Sequence, residues 1–118
     1  MQKVMLKRMT IFIDEASHWH GNSLAAALLE RLRKEGIAGA TVLRGSSGYG
    51  THGQIHTTSI IALATNLPIM VIAVDQPDKI EALHPVLDEM VKQGLVVIDE
   101  VVGYVPGPAN ATSVNPQT

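Results

Sequence analysis

Arg44 heads the stretch of this chain richest in chemistry, Arg44-Gly45-Ser46-Ser47-Gly48-Tyr49-Gly50, which runs on through Thr51-His52-Gly53-Gln54 to Ile55-His56-Thr57. Glycines let backbone N–H groups approach an anion with no Cβ in the way. A guanidinium can fork onto a phosphate or carboxylate, and the Tyr49 ring offers a flat apolar face for a base. Together these residues describe a site for an acidic small molecule. The same glycines would also suit a tight hairpin, so Gly-Tyr-Gly alone carries either reading.

Histidines are the second candidate. His18-Trp19-His20 and the pair His52 and His56 invite a metal reading, because neutral imidazoles bind zinc and copper. In an extended chain His18 and His20 point to opposite sides, and no cysteine or glutamate completes a tetrahedral set with them. The main reading therefore assigns no metal, and His52 and His56, or the His18-Trp19-His20 turn, stay as the ligands of an alternative one. Glu15 could accept a ribose hydroxyl, orient a loop amide or satisfy the turn before the first helix. Asp99 and Glu100 are adjacent on a predicted strand and face opposite ways, which rules out a simple carboxylate pair. Ser46, Ser47 and Ser59 have no recognisable base and orienting acid. No catalytic residue is assigned, and the expected chemistry is binding, not bond making.

These residues need elements to position them. From Val4 to Ile13, the residues Met5, Met9, Ile11 and Ile13 fall on one side of an extended chain, which predicts a first strand. Leu24, Leu28, Leu29 and Leu32 form a helical stripe, with Asn22 as its N-cap and Gly36 as its stop. A strand over Ala40 to Arg44 leads into a loop over Gly45 to Gly53. Thr58 to Ala64 and Leu67 to Asp75 read as one long kinked strand. Pro77 opens a second helix through Ile80, Leu83, Leu87, Met90 and Val91, closed by Gly94 and bent at Pro85. A last strand covers Leu95 to Val102. Residues 1–105 make one domain, and residues 106–118 are expected to be a flexible tail.

Residues 29–37 echo residues 87–95, which implies two strand-helix-strand units. Two such units with right-handed crossovers interleave as a ferredoxin-like βαββαβ fold of the α+β class, a four-stranded antiparallel sheet with two helices on one face. The other face is also apolar and needs cover, most simply from sister subunits.

Composition limits the rest. A chain of 118 residues fits one domain, and with charged residues at 17% and hydrophobic ones at 46% it is globular. A formal charge of −2 supplies no basic field, so no nucleic-acid partner is expected. The absence of cysteine removes disulfides and thiolate chemistry. No apolar run is long enough to span a bilayer, and a cytoplasmic location is expected.

The run Gly39-Ala40-Thr41-Val42-Leu43-Arg44-Gly45 resembles the segment of PII signalling proteins that ends their second strand and begins the T-loop. It is more similar still to a PII-like family called domain of unknown function one-ninety. That family's pattern also reads here as Ile13-Asp14-Glu15, Ile55-His56-Thr57 and Leu83-His84-Pro85-Val86-Leu87-Asp88-Glu89-Met90. The resemblance spans about residues 6 to 104.

It implies a homotrimer with small-molecule sites in clefts between subunits. Thr41, Arg44, Gly45, Gly48, Tyr49, Gly50 and His56 would lie at or near the T-loop base as the ligand-binding set. It implies an adenine nucleotide as effector, no required cofactor, and a membrane transporter, channel or enzyme partner that reads the loop over residues 45–57. The Gly-Lys-rich B-loop of PII proteins has no counterpart, since only Lys92-Gln93-Gly94-Leu95 stands there, so ATP held in the PII manner is not expected. Related CutA proteins imply the alternative, a trimer that binds divalent metal.

Overall fold

The computed structural model describes residues 1–49, the backbone of residues 56 and 57, and residues 66–107. The first strand, β1, covers Gln2–Asp14, longer than its apolar alternation alone suggests. Strands β2 (His18–Trp19) and β3 (Asn22–Ser23) form a tight hairpin. Its turn residues His20 and Gly21 have φ of 48° and 84°, the left-handed pair that a two-residue hairpin requires.

Helix α1 covers Leu24–Lys34. Its N-cap is Ser23, not Asn22: the Ser23 hydroxyl accepts the Ala26 N–H at 3.1 Å, while Asn22 pairs with Trp19 in the hairpin. Leu24, Leu28 and Leu32 are buried, whereas Leu29 stays at the surface. At the other end Gly36, with φ of 83°, donates to the Arg33 carbonyl and Ile37 to the Leu32 carbonyl. These two bonds form a Schellman cap and turn the buried Ile37 back onto the helix.

Strand β4 (Ala40–Arg44) follows, then the short strands β5 (Ser47–Gly48) and β6 (His56–Thr57), which pair with each other. Strand β7 covers Pro68–Asp75, with the proline at its first residue, where the missing N–H does least harm. The upstream part of the expected long strand, Thr58 to Ala64, lies outside the described residues. The second helix is not bent but divided into α2 (Pro77–Glu81) and α3 (His84–Met90). Pro85 in the first turn of α3 has no N–H to give the Glu81 carbonyl, so the chain breaks over Ala82 and Leu83 and restarts. Val91 is already extended, beyond the helix that was expected to carry it. Strand β8 covers Leu95–Val105, and a Cβ on Gly94 just before it would collide with the Phe12 carbonyl.

The main sheet is four-stranded and fully antiparallel, in the order β4-β7-β1-β8. This is the ferredoxin-like arrangement expected from the sequence. Ile11 sits opposite both Val71 and Val96, which sets the register at the centre of the sheet. One face carries Met9, Ile11, Ile13, Ile69, Val71 and Ala73 into a core closed by the α1 leucines and by Ile80, Leu83, Leu87 and Met90. Asp75 is only 1% exposed on this side, and its carboxylate accepts the N–H groups of Ala38 at 2.8 Å and Gln76 at 2.7 Å.

The opposite face presents Phe12, Leu43, Leu95 and Val97, all at least partly exposed. Among the described residues no helix lies on it. Beyond Lys7, where β7 stops pairing, residues 2–6 of β1 pair with β8 alone.

Candidate functional site at the stems of the 45–66 segment

Arg44 closes β4 and Pro68 opens β7, so these neighbouring strands deliver the two ends of residues 45–66 to one edge of the sheet. The Gly45 N–H donates to the Pro68 carbonyl at 2.8 Å and joins the stems directly. Pro68 also explains the glycines. A Cβ on Gly45 would stand 2.7 Å from Pro68 Cγ, and one on Gly48 3.1 Å from it. Their small size is required by packing on the proline ring, whatever else their amides do. Gly48 then pairs with His56, and Ser47 with Thr57. The glycine-rich run therefore contains a short antiparallel ladder, in which Gly48 holds a strand position.

Arg44 is engaged by Glu15, its Nε in an ion pair with Glu15 Oε1. The other carboxylate oxygen accepts the Leu67 N–H at 3.3 Å, and the Glu15 N–H donates to the Leu67 carbonyl at 3.0 Å. The hydrogen bond from Arg44 holds the Glu15 carboxyl below its usual range. Partial burial works against that, and the Leu67 N–H assists it. Of the roles weighed for Glu15, orienting a loop-flanking amide is the one this geometry supplies. The turn before the helix is satisfied instead by Asp14, whose Oδ1 accepts the Ala16 N–H at 2.9 Å and the Ser17 hydroxyl at 3.3 Å.

The other candidates separate. Thr41 lies opposite Ile72 on the bare face of the sheet, whereas Arg44 lies opposite Ile69 on the helix side, so one protomer does not bring them together. Tyr49 is 73% exposed and projects from the stem. His56 is placed by its backbone against Gly48, and Gly50 and His52 lie outside the described residues.

In the histidine pair near the first turn each ring has a local partner. His18 Nδ1 faces the Ala16 carbonyl, and His20 stacks on Trp19 with ring centroids 4.3 Å apart and planes 8° from parallel. Among the described residues no three histidine or carboxylate side chains are grouped to hold a metal ion.

A second concavity of about 440 Å³ lies between α3 and β8, lined by His84, Leu87, Asp88, Val91, Val96 and Ile98 together with Gly94. Lys92, beside it, donates to the Asp88 carbonyl at 2.8 Å and so caps α3. Among the described residues no helix is long and apolar enough to cross a membrane.

A four-stranded ferredoxin-like sheet with its helices on one face, and a long segment sprung between its second and third main strands, is the architecture of PII-like proteins. The chain belongs to the family described as an uncharacterized ACR, domain of unknown function 190, whose pattern matches residues 6–102. The UPF0166 protein MJ1524 of Methanocaldococcus jannaschii is 33% identical over 102 residues, covering 86% of this chain and 94% of that one.

Among solved structures, the nitrogen regulatory PII-like protein CPII of Thiomonas intermedia K12, bound to ADP, AMP and bicarbonate, superposes with a TM-score of 0.63. It is 20% identical and the match covers 88% of this chain and all of CPII. The divalent ion tolerance protein CutA1 of Ehrlichia chaffeensis shares the fold with a TM-score of 0.52 and 14% identity, over 91% of this chain and 84% of that one.

Proposed function

We propose that this protein is a non-enzymatic PII-like regulator that works as a homotrimer and binds a small anionic metabolite, an adenine nucleotide first among candidates, in clefts between subunits. The observation that carries this reading is the position of Arg44, a guanidinium at the joined stems of the 45–66 segment with the exposed Tyr49 beyond it. Charge at Arg44 would take the phosphate and Tyr49 would stack on the base, while Gly45 and Gly48, packed on Pro68, would shape the stem between them. Gly50 and His56 complete the proposed set, and Thr41 contributes from the face that sister subunits cover. The adenine nucleotide is suggested by the ligands of CPII.

The trimer is supported by the apolar sheet face, where Phe12, Leu43 and Leu95 are 39%, 49% and 59% exposed. Covering it removes a patch that water disfavours. Occupancy would bias the segment over residues 45–57 between states that a transporter, channel or enzyme distinguishes, with no bond made or broken and no cofactor required.

Calorimetric titration with ADP, AMP, ATP and bicarbonate, beside sedimentation velocity, tests this. Saturable nucleotide binding lost in Arg44→Ala supports it. Binding of zinc or copper alone, lost in His52→Ala or His56→Ala, would move the assignment to a CutA-like metal protein.

A further inference from the structure

Glu15 stands where an incoming anion would have to act. Its carboxylate is bonded to both ends of the 45–66 segment at once, through Oε1 to Arg44 on one stem and through Oε2 to the Leu67 N–H on the other. Its own N–H fixes it to the Leu67 carbonyl, so the side chain hangs from a rigid point. The contact uses Nε of Arg44, one of the donors a ligand phosphate or carboxylate would seek. A carboxylate this close repels a second anion, and the two cannot share the guanidinium without loss.

We propose that Glu15 is the resident counter-anion of this site: it neutralises Arg44 until a ligand anion displaces it, and displacement removes the side-chain bridge between the Arg44 stem and the Leu67 stem. The inference rests on Arg44 as the ligand-binding cation and adds a mechanism by which occupancy reaches the segment. Breaking the Arg44 contact leaves the main-chain ties in place, the Gly45–Pro68 hydrogen bond and the β4–β7 ladder, and loosens only the side-chain bridge that runs through Glu15 to Leu67. The signal is a change in how two strand ends are held, read out at residues 44, 45 and 67. Glu15 also sets a threshold, since only an anion that binds Arg44 better than a tethered carboxylate does will switch the site.

The test compares wild type, Glu15→Gln, Glu15→Ala and Arg44→Ala, with ADP as probe. Circular dichroism and melting temperature establish that each variant folds. Glutamine keeps an oxygen for the Leu67 N–H but removes the charge, so ADP should bind Glu15→Gln about five- to tenfold more tightly than wild type, the size of about 1–1.4 kcal/mol. Arg44→Ala should not bind. Amide exchange at Leu67 should quicken in wild type when ADP is added, and should already be fast in Glu15→Ala without it.

Equal or weaker ADP binding by Glu15→Gln overturns the competition. If ADP binds none of the four proteins, the nucleotide reading falls and exchange without ligand decides the clamp. Faster Leu67 exchange in Glu15→Ala then supports it, and identical exchange in wild type overturns it.

Discussion

Arg8 and Asp99 face each other across β1 and β8 and join in a fork, Nη2 to Oδ2 at 2.7 Å and Nε to Oδ1 at 3.2 Å, on the sheet face that the helices leave bare. The hydrogen bond and charge of Asp99 raise the Arg8 guanidinium further above its ordinary value. In water such a pair adds little to stability. Between apolar surfaces its unpaired halves would be costly, so in the proposed trimer it would serve to match subunits. Asp99→Ala should therefore weaken self-association at least tenfold in sedimentation equilibrium while leaving the far-ultraviolet spectrum unchanged. The apolar double variant Arg8→Met/Asp99→Leu should associate again. Unaltered association in Asp99→Ala would place the fork outside any interface.

Gly45→Ala should lower stability by about 1–3 kcal/mol, because its new Cβ meets a ring and not a flexible tail. Gly48→Ala, with a longer approach, should lower it less. Urea unfolding of Gly45→Ala with and without Pro68→Ala checks the cause: removing the ring should restore part of the loss.

Asp75→Ala would take the carboxylate partner from two half-buried N–H groups, those of Ala38 and Gln76. A loss of roughly 2–4 kcal/mol is expected, since each buried unsatisfied amide is worth about 1–3 kcal/mol. Chemical denaturation measures it. A change under about 0.5 kcal/mol would mean that water replaces the carboxylate.

Three carboxylates are held below their ordinary range by cations: Glu15 by Arg44, Glu30 by Arg33, and Glu81 by Lys7 and His84. A depressed carboxyl stabilises the fold fully above its unfolded value and loses that contribution as pH falls through the lower, folded one. Melting temperature should thus hold steady from neutral pH down to about 5 and fall below about 4.5. Glu81→Gln should flatten that acid limb. An equally steep limb in Glu81→Gln would assign it to other groups.

Much of the fold is legible because its alternations are clean. Met9, Ile11 and Ile13 report a strand with one buried face, and Leu24, Leu28 and Leu32 report a helix. Leu29 is missed because a fourth leucine on the stripe's edge fits the same pattern whether or not the sheet reaches it. Ser23 and Asn22 are both good caps, and only the hairpin, which takes Asn22, decides between them. The echo between the helical ends survives at Leu32 and Met90, both buried, but fails at Leu29 and Leu87, where one side chain is exposed and the other buried.

The site is less legible. Glu15 and Arg44 meet only because β1 and β4 both flank β7, a fact of register that local sequence does not carry. The separation of Thr41 from Arg44 is readable, since residues three apart on a strand point to opposite faces. The resemblance groups them all the same.

Gln2 lies beside Val105, so the first strand of the chain takes its partner from the far end of the sequence. Residues 7–14 of that strand can pair with β7 first, but residues 2–6 have no partner until β8 is in place. Closing so distant a pairing is slow. Until it closes, that end of β1 is an open strand edge, the kind of template on which wrong pairings form.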